Sequence, residues 1–211
     1  MKHIGLFGGT FNPIHLGHLT LAINVYKDFL LDELIFIPSK IPPHKNLGTP
    51  PEKRFEMVKI AIDNLHYNFT VSDVELRKKG VSYTYKTLIY YRSIYKDDSI
   101  SFICGSDIFA TIDKWESWNE LFNLANFIVV NRKEMPFDLM HTLIPAELKE
   151  RMVEKDKFSD ALYGKIVLYK MGEIEISSTD IREKLRENIM SEFLTENVYK
   201  YICKNKLYQE V

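Results

Sequence analysis

The chain has 211 residues, 45% of them hydrophobic with 13 Phe and 12 Tyr, which supports a buried core and excludes intrinsic disorder. Its 28 Lys and Arg nearly cancel 29 Asp and Glu, excluding a broad polyanion-binding surface but not a local basic pocket. Cys104 and Cys203 lie far apart with no C-x-x-C spacing, which argues against a disulfide framework or structural zinc and for reduced thiols in the cytoplasm. MKHIGLFGGTF lacks a secretory cleavage pattern, and no window approaches about 20 consecutive apolar residues, so no membrane partner is expected.

In chain order, HIGLF (3–7) reads as a buried strand. LTLAINVYKDFL (19–30) follows as a helix, with Leu19, Ala22, Ile23, Tyr26 and Leu30 at helical spacing. ELIFIPS (33–39) is a strand stopped at Pro38, and the proline-rich KIPPHKNLGTPP (40–51) is a loop. Residues 52–65 are predicted helical, with Phe55, Val58, Ile62 and Leu65 on one side. FTVSDVEL (69–76) reads as a strand, 82–95 as a helix, SISFICG (99–105) as a strand, 118–125 as a helix and FIVVNR (127–132) as a strand. Residues 133–164 carry an irregular apolar pattern that suits one or two short helices. EIEISSTDIREKLREN reads as a short alternating strand entering a helix, and ENVYKYICKNKLY as a small amphipathic helix.

Strands alternating with amphipathic helices indicate an α/β fold with a doubly wound parallel sheet and a small C-terminal helical part. Such sheets bind ligands at the carboxyl ends of their strands, so the strand-to-helix corners are where chemistry belongs.

The first corner is GLFGGTFNPIHLGH (5–18). Gly8 and Gly9 permit a tight turn and close backbone approach to a ligand. Asn12 suits a cap and Pro13 a first helical position, so a helix begins between Asn12 and Leu16 with His15 and His18 sharing a face. Free N–H groups there form an anion site, whereas imidazolium is disfavoured by the dipole unless an anion is present. The plain alternative is an ordinary corner with two hydrogen-bonded histidines. H-x-x-H supplies only two metal ligands with no third marked by spacing, so no metal site is predicted.

At SSTDIR (177–182), Ser177 or Ser178 suits a helix cap, and Thr179 and Arg182 lie i, i+3. Hydroxyls, backbone N–H groups and a guanidinium fork suit phosphate oxygens; a capped surface helix is the competing reading. PPHK holds His44 and Lys45 between prolines and charge, either poised over a phosphate or simply solvated. In GSDIFATIDKWESW, Asp107 suits ribose hydroxyls, while Trp115 and Trp118 suit either ligand stacking or the core.

GLFGGTFNPIHLGH, PPHK, SYTYKT (82–87), GSD with Trp115 eight residues after Asp107, ISSTDIR and the ending NVYKYICKNKLY resemble, in this order, the bacterial nicotinate mononucleotide adenylyltransferases. These form a branch of the nucleotidyltransferase superfamily with an H-x-G-H signature. The resemblance spans nearly the whole chain except about 133–164. It implies a single Rossmann-like nucleotidyltransferase domain over 1–211, with 133–164 an insertion and 178–211 a C-terminal helical subregion. The implied reaction joins ATP, with its Mg²⁺, and nicotinate mononucleotide into deamido-NAD and pyrophosphate.

By the same resemblance, His15, His18 and Arg182 are catalytic. ATP is contacted by Gly8, Gly9, Thr10, His15, His18, Gly105, Asp107, Ser178, Thr179 and Arg182. Lys45, Thr84 and Trp115 hold the mononucleotide. Its partners are small molecules rather than nucleic acid, and a homo-oligomer is compatible with the pattern. Three departures stand out: Asn12 where aspartate is frequent, Lys184 where arginine often follows, and the length of 133–164. The rival acceptors are nicotinamide mononucleotide or another phosphorylated compound, and the non-enzymatic rival is a nucleotide-sensing module. A dehydrogenase is disfavoured because GLFGGTFN lacks the G-x-G-x-x-G spacing.

Overall fold

Six parallel strands form one sheet in the computed structural model, which describes residues 1–42, 48–158, 161–172 and 176–209. They are β1 (His3–Gly9), β2 (Glu33–Pro38), β3 (Phe69–Val71), β4 (Ser99–Gly105), β5 (Asn126–Val130) and β6 (Ile166–Tyr169), in the spatial order β3-β2-β1-β4-β5-β6. Leu6 pairs with Ile35 on one side and Phe102 on the other. The order reverses between β1 and β4, which opens a crevice at their carboxyl ends.

Both faces of the sheet are covered, which explains why the central strands read as continuous apolar runs. Neighbours along a strand point to opposite faces. Phe7, Phe36, Ile103 and Ile128 enter one core layer, while Leu6, Ile35, Phe102 and Phe127 enter the other. The first layer is closed by α1 (Leu16–Asp28), α2 (Pro51–Ile62), α7 (Ser178–Arg186) and α8 (Glu196–Lys204). The second is closed by α4 (Thr84–Ile94), α5 (Ser106–Phe109) and α6 (Phe137–Leu143), through Leu88, Phe109 and Met140. Between β3 and α4 stands the single turn α3 (Val74–Arg77).

Four local expectations change. The strand predicted over 69–76 stops at Val71, because Ser72 makes the last ladder bond to the Phe36 carbonyl and its hydroxyl then accepts the Val74 N–H. Side chains of this kind turn the backbone by offering it local hydrogen bonds. Residues 118–125 form a 3₁₀ helix over Trp118–Asn123 rather than an α-helix, entered from Ser117 in the left-handed region (φ 50°). Leu30 is 83% exposed, since α1 ends at Asp28 and Phe29 takes the core position. The 133–164 stretch holds three short helices among its described residues: α6 and 3₁₀ turns at Ala146–Arg151 and Lys155–Lys157. Most of the alternating strand expected before SSTDIR lies outside the described residues.

Candidate active site

The chain does not pass straight from β1 into α1. Phe11 takes a left-handed φ of 47°, the Asn12–Pro13 peptide is cis, and His15 in extended conformation is the residue that caps α1. Asn12 does not cap, because its side-chain carbonyl accepts the Tyr208 hydroxyl at 2.7 Å. The His15 N–H donates instead to His18 Nδ1 at 3.3 Å, the third helical residue reaching back to the cap. The two imidazoles therefore lie together, with ring centroids 3.8 Å apart and planes inclined by 32°. Because His18 Nδ1 accepts, its proton sits on Nε2.

Beneath this corner the glycines make room for aromatic rings. A Cβ on Gly9 would stand 2.9 Å from the Phe11 ring, and one on Gly8 would stand 3.0 Å from Phe102. Their backbone is thus held close to the core on one side while forming the crevice wall on the other.

The α7 terminus meets the α1 terminus across the crevice. Ser177 caps α7, its hydroxyl accepting the N–H groups of Thr179 at 3.1 Å and Asp180 at 3.5 Å. That leaves the Ser178 hydroxyl to face His15, with Oγ 3.1 Å from Nε2. Arg182 donates through Nη1 to the Asn12 carbonyl (2.8 Å) and through Nη2 to the Thr179 hydroxyl (3.0 Å). Two helix N-termini, each with a positive dipole end, so converge on one place.

The third corner follows β4. Gly105 caps α5 and Asp107 lies in its first turn. The Ser106 hydroxyl accepts the Arg132 N–H at 2.9 Å and donates to the Met135 carbonyl at 2.6 Å, tying this corner to the end of β5. Asp107 Oδ1 is 3.9 Å from Arg132 Nε. Arg132 was not singled out in the sequence, although it follows β5 at the same carboxyl edge that marked GSD.

Burial, with the Arg132 charge second, pushes the His15 imidazole down to about 4. Burial, then His15 and Arg132, hold His18 well below the ordinary histidine range. Both rings are neutral at neutral pH, so each offers one N–H.

Arg54 was likewise not anticipated. It is 1% exposed and donates to three backbone carbonyls: Thr10 at 2.7 Å, Lys40 at 3.1 Å and Thr49 at 3.3 Å. It ties the loop after β1 to Lys40 and Thr49, which stand on either side of residues 43–47. Lys45 belongs to that segment and lies outside the described residues. Thr84 opens α4, and Trp115 stands edge-on to Phe102, the ring beneath Gly8, at 6.2 Å. Neither is joined by a hydrogen bond to the histidine cluster.

Among the described residues, three buried side-chain atoms have no hydrogen-bond partner: His15 Nδ1, Ser39 Oγ and Glu75 Oε2. They follow β1, β2 and β3 in turn. No group of three or more His, Cys, Asp or Glu side chains is arranged there, or elsewhere among the described residues, to hold a metal ion.

The Cytidylyltransferase-like family model matches residues 6–184. A Clostridium acetobutylicum protein named "Probable nicotinate-nucleotide adenylyltransferase" is 41% identical over 99% of this chain and 100% of its own length. A Clostridium perfringens protein of the same name is 38% identical over 99% of both. Among solved structures, a Plasmodium falciparum nicotinic acid mononucleotide adenylyltransferase complexed with NaAD shares the fold, with a TM-score of 0.77 at 20% identity, covering 99% of this chain and 98% of that one.

Proposed function

The chain belongs to the nicotinate-nucleotide adenylyltransferases, within the cytidylyltransferase-like family, and from that we propose that it transfers the adenylyl group of ATP to nicotinate mononucleotide. The products are deamido-NAD and pyrophosphate. A phosphate oxygen of the mononucleotide attacks the α-phosphorus, the new P–O bond forms, and the bond to the α,β-bridging oxygen breaks. The attacking phosphate has a second pKa of about 6 and is largely ionised at neutral pH, so the reaction asks for alignment and charge stabilisation rather than a base.

The observation that most supports this is the His15–Ser178 contact, which brings two neutral imidazoles and two helix N-termini to one point. In this reading His15 and His18, with Gly8, Gly9 and Thr10, contact the ATP phosphates. Ser178, Thr179 and Arg182 hold the triphosphate, whose leaving half gains charge as the bond breaks. Gly105 and Asp107 contact adenosine. Lys45 takes the mononucleotide phosphate, and Thr84 and Trp115 frame the pyridine ring and its carboxylate. Arg132 joins this set, since its guanidinium lies near both histidines and Asp107.

Mg²⁺ enters on the triphosphate as part of the substrate, which suits a site built from donors. Residues 1–211 act as one nucleotidyltransferase domain, with 133–164 an insertion and 178–211 a helical subregion that completes the phosphate side. No helix among the described residues is long and apolar enough to cross a membrane. The proposed substrates are small molecules and the proposed location is the cytoplasm.

The test is pyrophosphate release with ATP and Mg²⁺, comparing nicotinate mononucleotide, nicotinamide mononucleotide and phosphopantetheine. A preference of about tenfold or more for the nicotinate form is expected, the scale set by loss of one well-placed polar contact. Release with neither pyridine nucleotide overturns the assignment.

A further inference from the structure

We infer that Tyr208 is a positioning residue for the triphosphate, acting through Asn12 on the Arg182 guanidinium. This rests on the assignment of Arg182 to the ATP phosphates.

After α8 the tail bends sharply. Lys206 (φ 52°) and Tyr208 (φ 65°) both occupy the left-handed region without being glycine, and the Leu207 N–H returns to the Ile202 carbonyl at 3.1 Å. The bend packs Tyr208 against the first core layer and directs its hydroxyl to Asn12, 196 positions earlier. The acceptor side is bent as well, because Phe11, immediately before Asn12, has a φ of 47°. Left-handed backbone at bulky residues persists only where the surroundings over-determine it, and such positions cluster at functional sites. Here three of them bracket a single hydrogen bond.

Asn12 links that bond to the phosphate side. It is buried, its side chain held by Tyr208, and its own backbone carbonyl accepts Arg182 Nη1. A guanidinium is a planar fork with five N–H groups, so fixing Nη1 on Asn12 and Nη2 on Thr179 fixes the direction of those that remain. Burial raises the Tyr208 pKa, with Thr49, Arg54 and Arg182 nearby opposing it, so the hydroxyl keeps its proton and stays a donor. A tail that merely packed would need the ring and not the hydroxyl.

The experiment compares wild type, Tyr208→Phe, Asn12→Ala and the double variant. It measures kcat, both KM values, thermal melting, and the affinity for inorganic pyrophosphate with Mg²⁺ by calorimetry. Each single variant is expected to lower kcat and pyrophosphate affinity by about three- to tenfold, the range for one hydrogen bond, with KM for nicotinate mononucleotide within about twofold. The double variant is expected to lie within about twofold of the weaker single, as two ends of one interaction do. Kinetics and pyrophosphate affinity within twofold of wild type in Tyr208→Phe, with or without a lower melting temperature, overturn the inference. So do losses that multiply in the double variant. If Tyr208→Phe does not fold, Asn12→Ala carries the same comparison against its own melt. A wild-type protein that binds pyrophosphate but transfers to no pyridine nucleotide refutes the assigned reaction instead, and calorimetry of the variants still reads the Tyr208–Asn12–Arg182 chain.

Discussion

His15 Nε2 stands 3.1 Å from the Ser178 hydroxyl across 163 positions of sequence, and this contact joins the start of α1 to the start of α7. Replacing Ser178 by Ala removes it while Ser177 still caps α7. We predict a three- to tenfold loss of kcat, about 0.5–1.5 kcal/mol, with little change in melting temperature. A variant as active as wild type refutes the role given to this contact.

His18 loses more. In the proposed reaction its Nε2 proton is a preorganised donor, and removal of such donors costs about 2.7–4 kcal/mol, or about 10²–10³ in rate. His18→Ala is expected to fold and to fall by that order in pyrophosphate release. Turnover within about threefold of wild type would falsify the assignment of His18 to the reaction.

Gly105→Ala tests the proposed contact of Gly105 and Asp107 with adenosine. A Cβ there would clash with Asp107 Oδ1 and lie 2.9 Å from Arg132 Nε, so both side chains, rather than the backbone, would have to shift. The backbone φ of −78° suits any residue. Stability should therefore change little while KM for ATP rises about tenfold, or about 1.4 kcal/mol of binding. An unchanged KM for ATP would show that Asp107 and Arg132 do not depend on the space Gly105 leaves.

Arg54→Met strands three carbonyls in the interior. Each unsatisfied buried group costs about 1–3 kcal/mol, so a loss of about 3 kcal/mol is expected even after partial relaxation. For a chain of this size that lowers the melting temperature by about 6–12 °C. Urea unfolding of the variant decides it, and a midpoint equal to wild type shows that the carbonyls find other partners.

Acid should weaken the fold before its carboxylates titrate. His3, His15 and His18 all have folded pKa values below the ordinary 6.5, in each case mainly through burial. Between pH 6.5 and about 4 the unfolded chain binds more protons than the folded one at His15, so stability is full above 6.5 and falls as pH drops. The slope is about 1.4 kcal/mol per pH unit for each such histidine. Urea midpoints at pH 7.5, 5.5 and 4.5 should fall in that order, less steeply in His15→Gln; a flat profile contradicts neutral buried imidazoles.

Much of the fold was legible because buried strands and amphipathic helices leave periodic traces. SISFICG became β4 with unchanged bounds. Both helix starts were placed to within a few residues, since serine and histidine corners interrupt those traces. Arg54 escaped because Phe55, Val58, Ile62 and Leu65 select a stripe rotated by one residue. The buried face is Arg54, Met57, Val58, Ala61 and Ile62, a helical spacing in which the one charge should have stood out. Tyr208 was read as the end of the amphipathic helix ENVYKYICKNKLY, whereas α8 stops at Lys204. Its position follows from left-handed backbone at Lys206 and Tyr208, neither of which is a glycine or asparagine, so that Asn205 at the helix end is the one turn signal nearby.

The distance in sequence between partners has a consequence for synthesis. His15 waits for Ser178, 163 positions on, and Asn12 for Tyr208, 196 positions on. A nascent chain still short of Ser178 and Tyr208 therefore carries most of a sheet and two imidazoles but no finished crevice. The last contacts also close the longest loops, which contact order marks as slow to form. Catalytic competence should thus follow the synthesis of Tyr208, with the docking of the segment after α8 as a late step. Ribosome-bound chains stalled before Ser178 emerges are expected to be folded in part and silent in turnover.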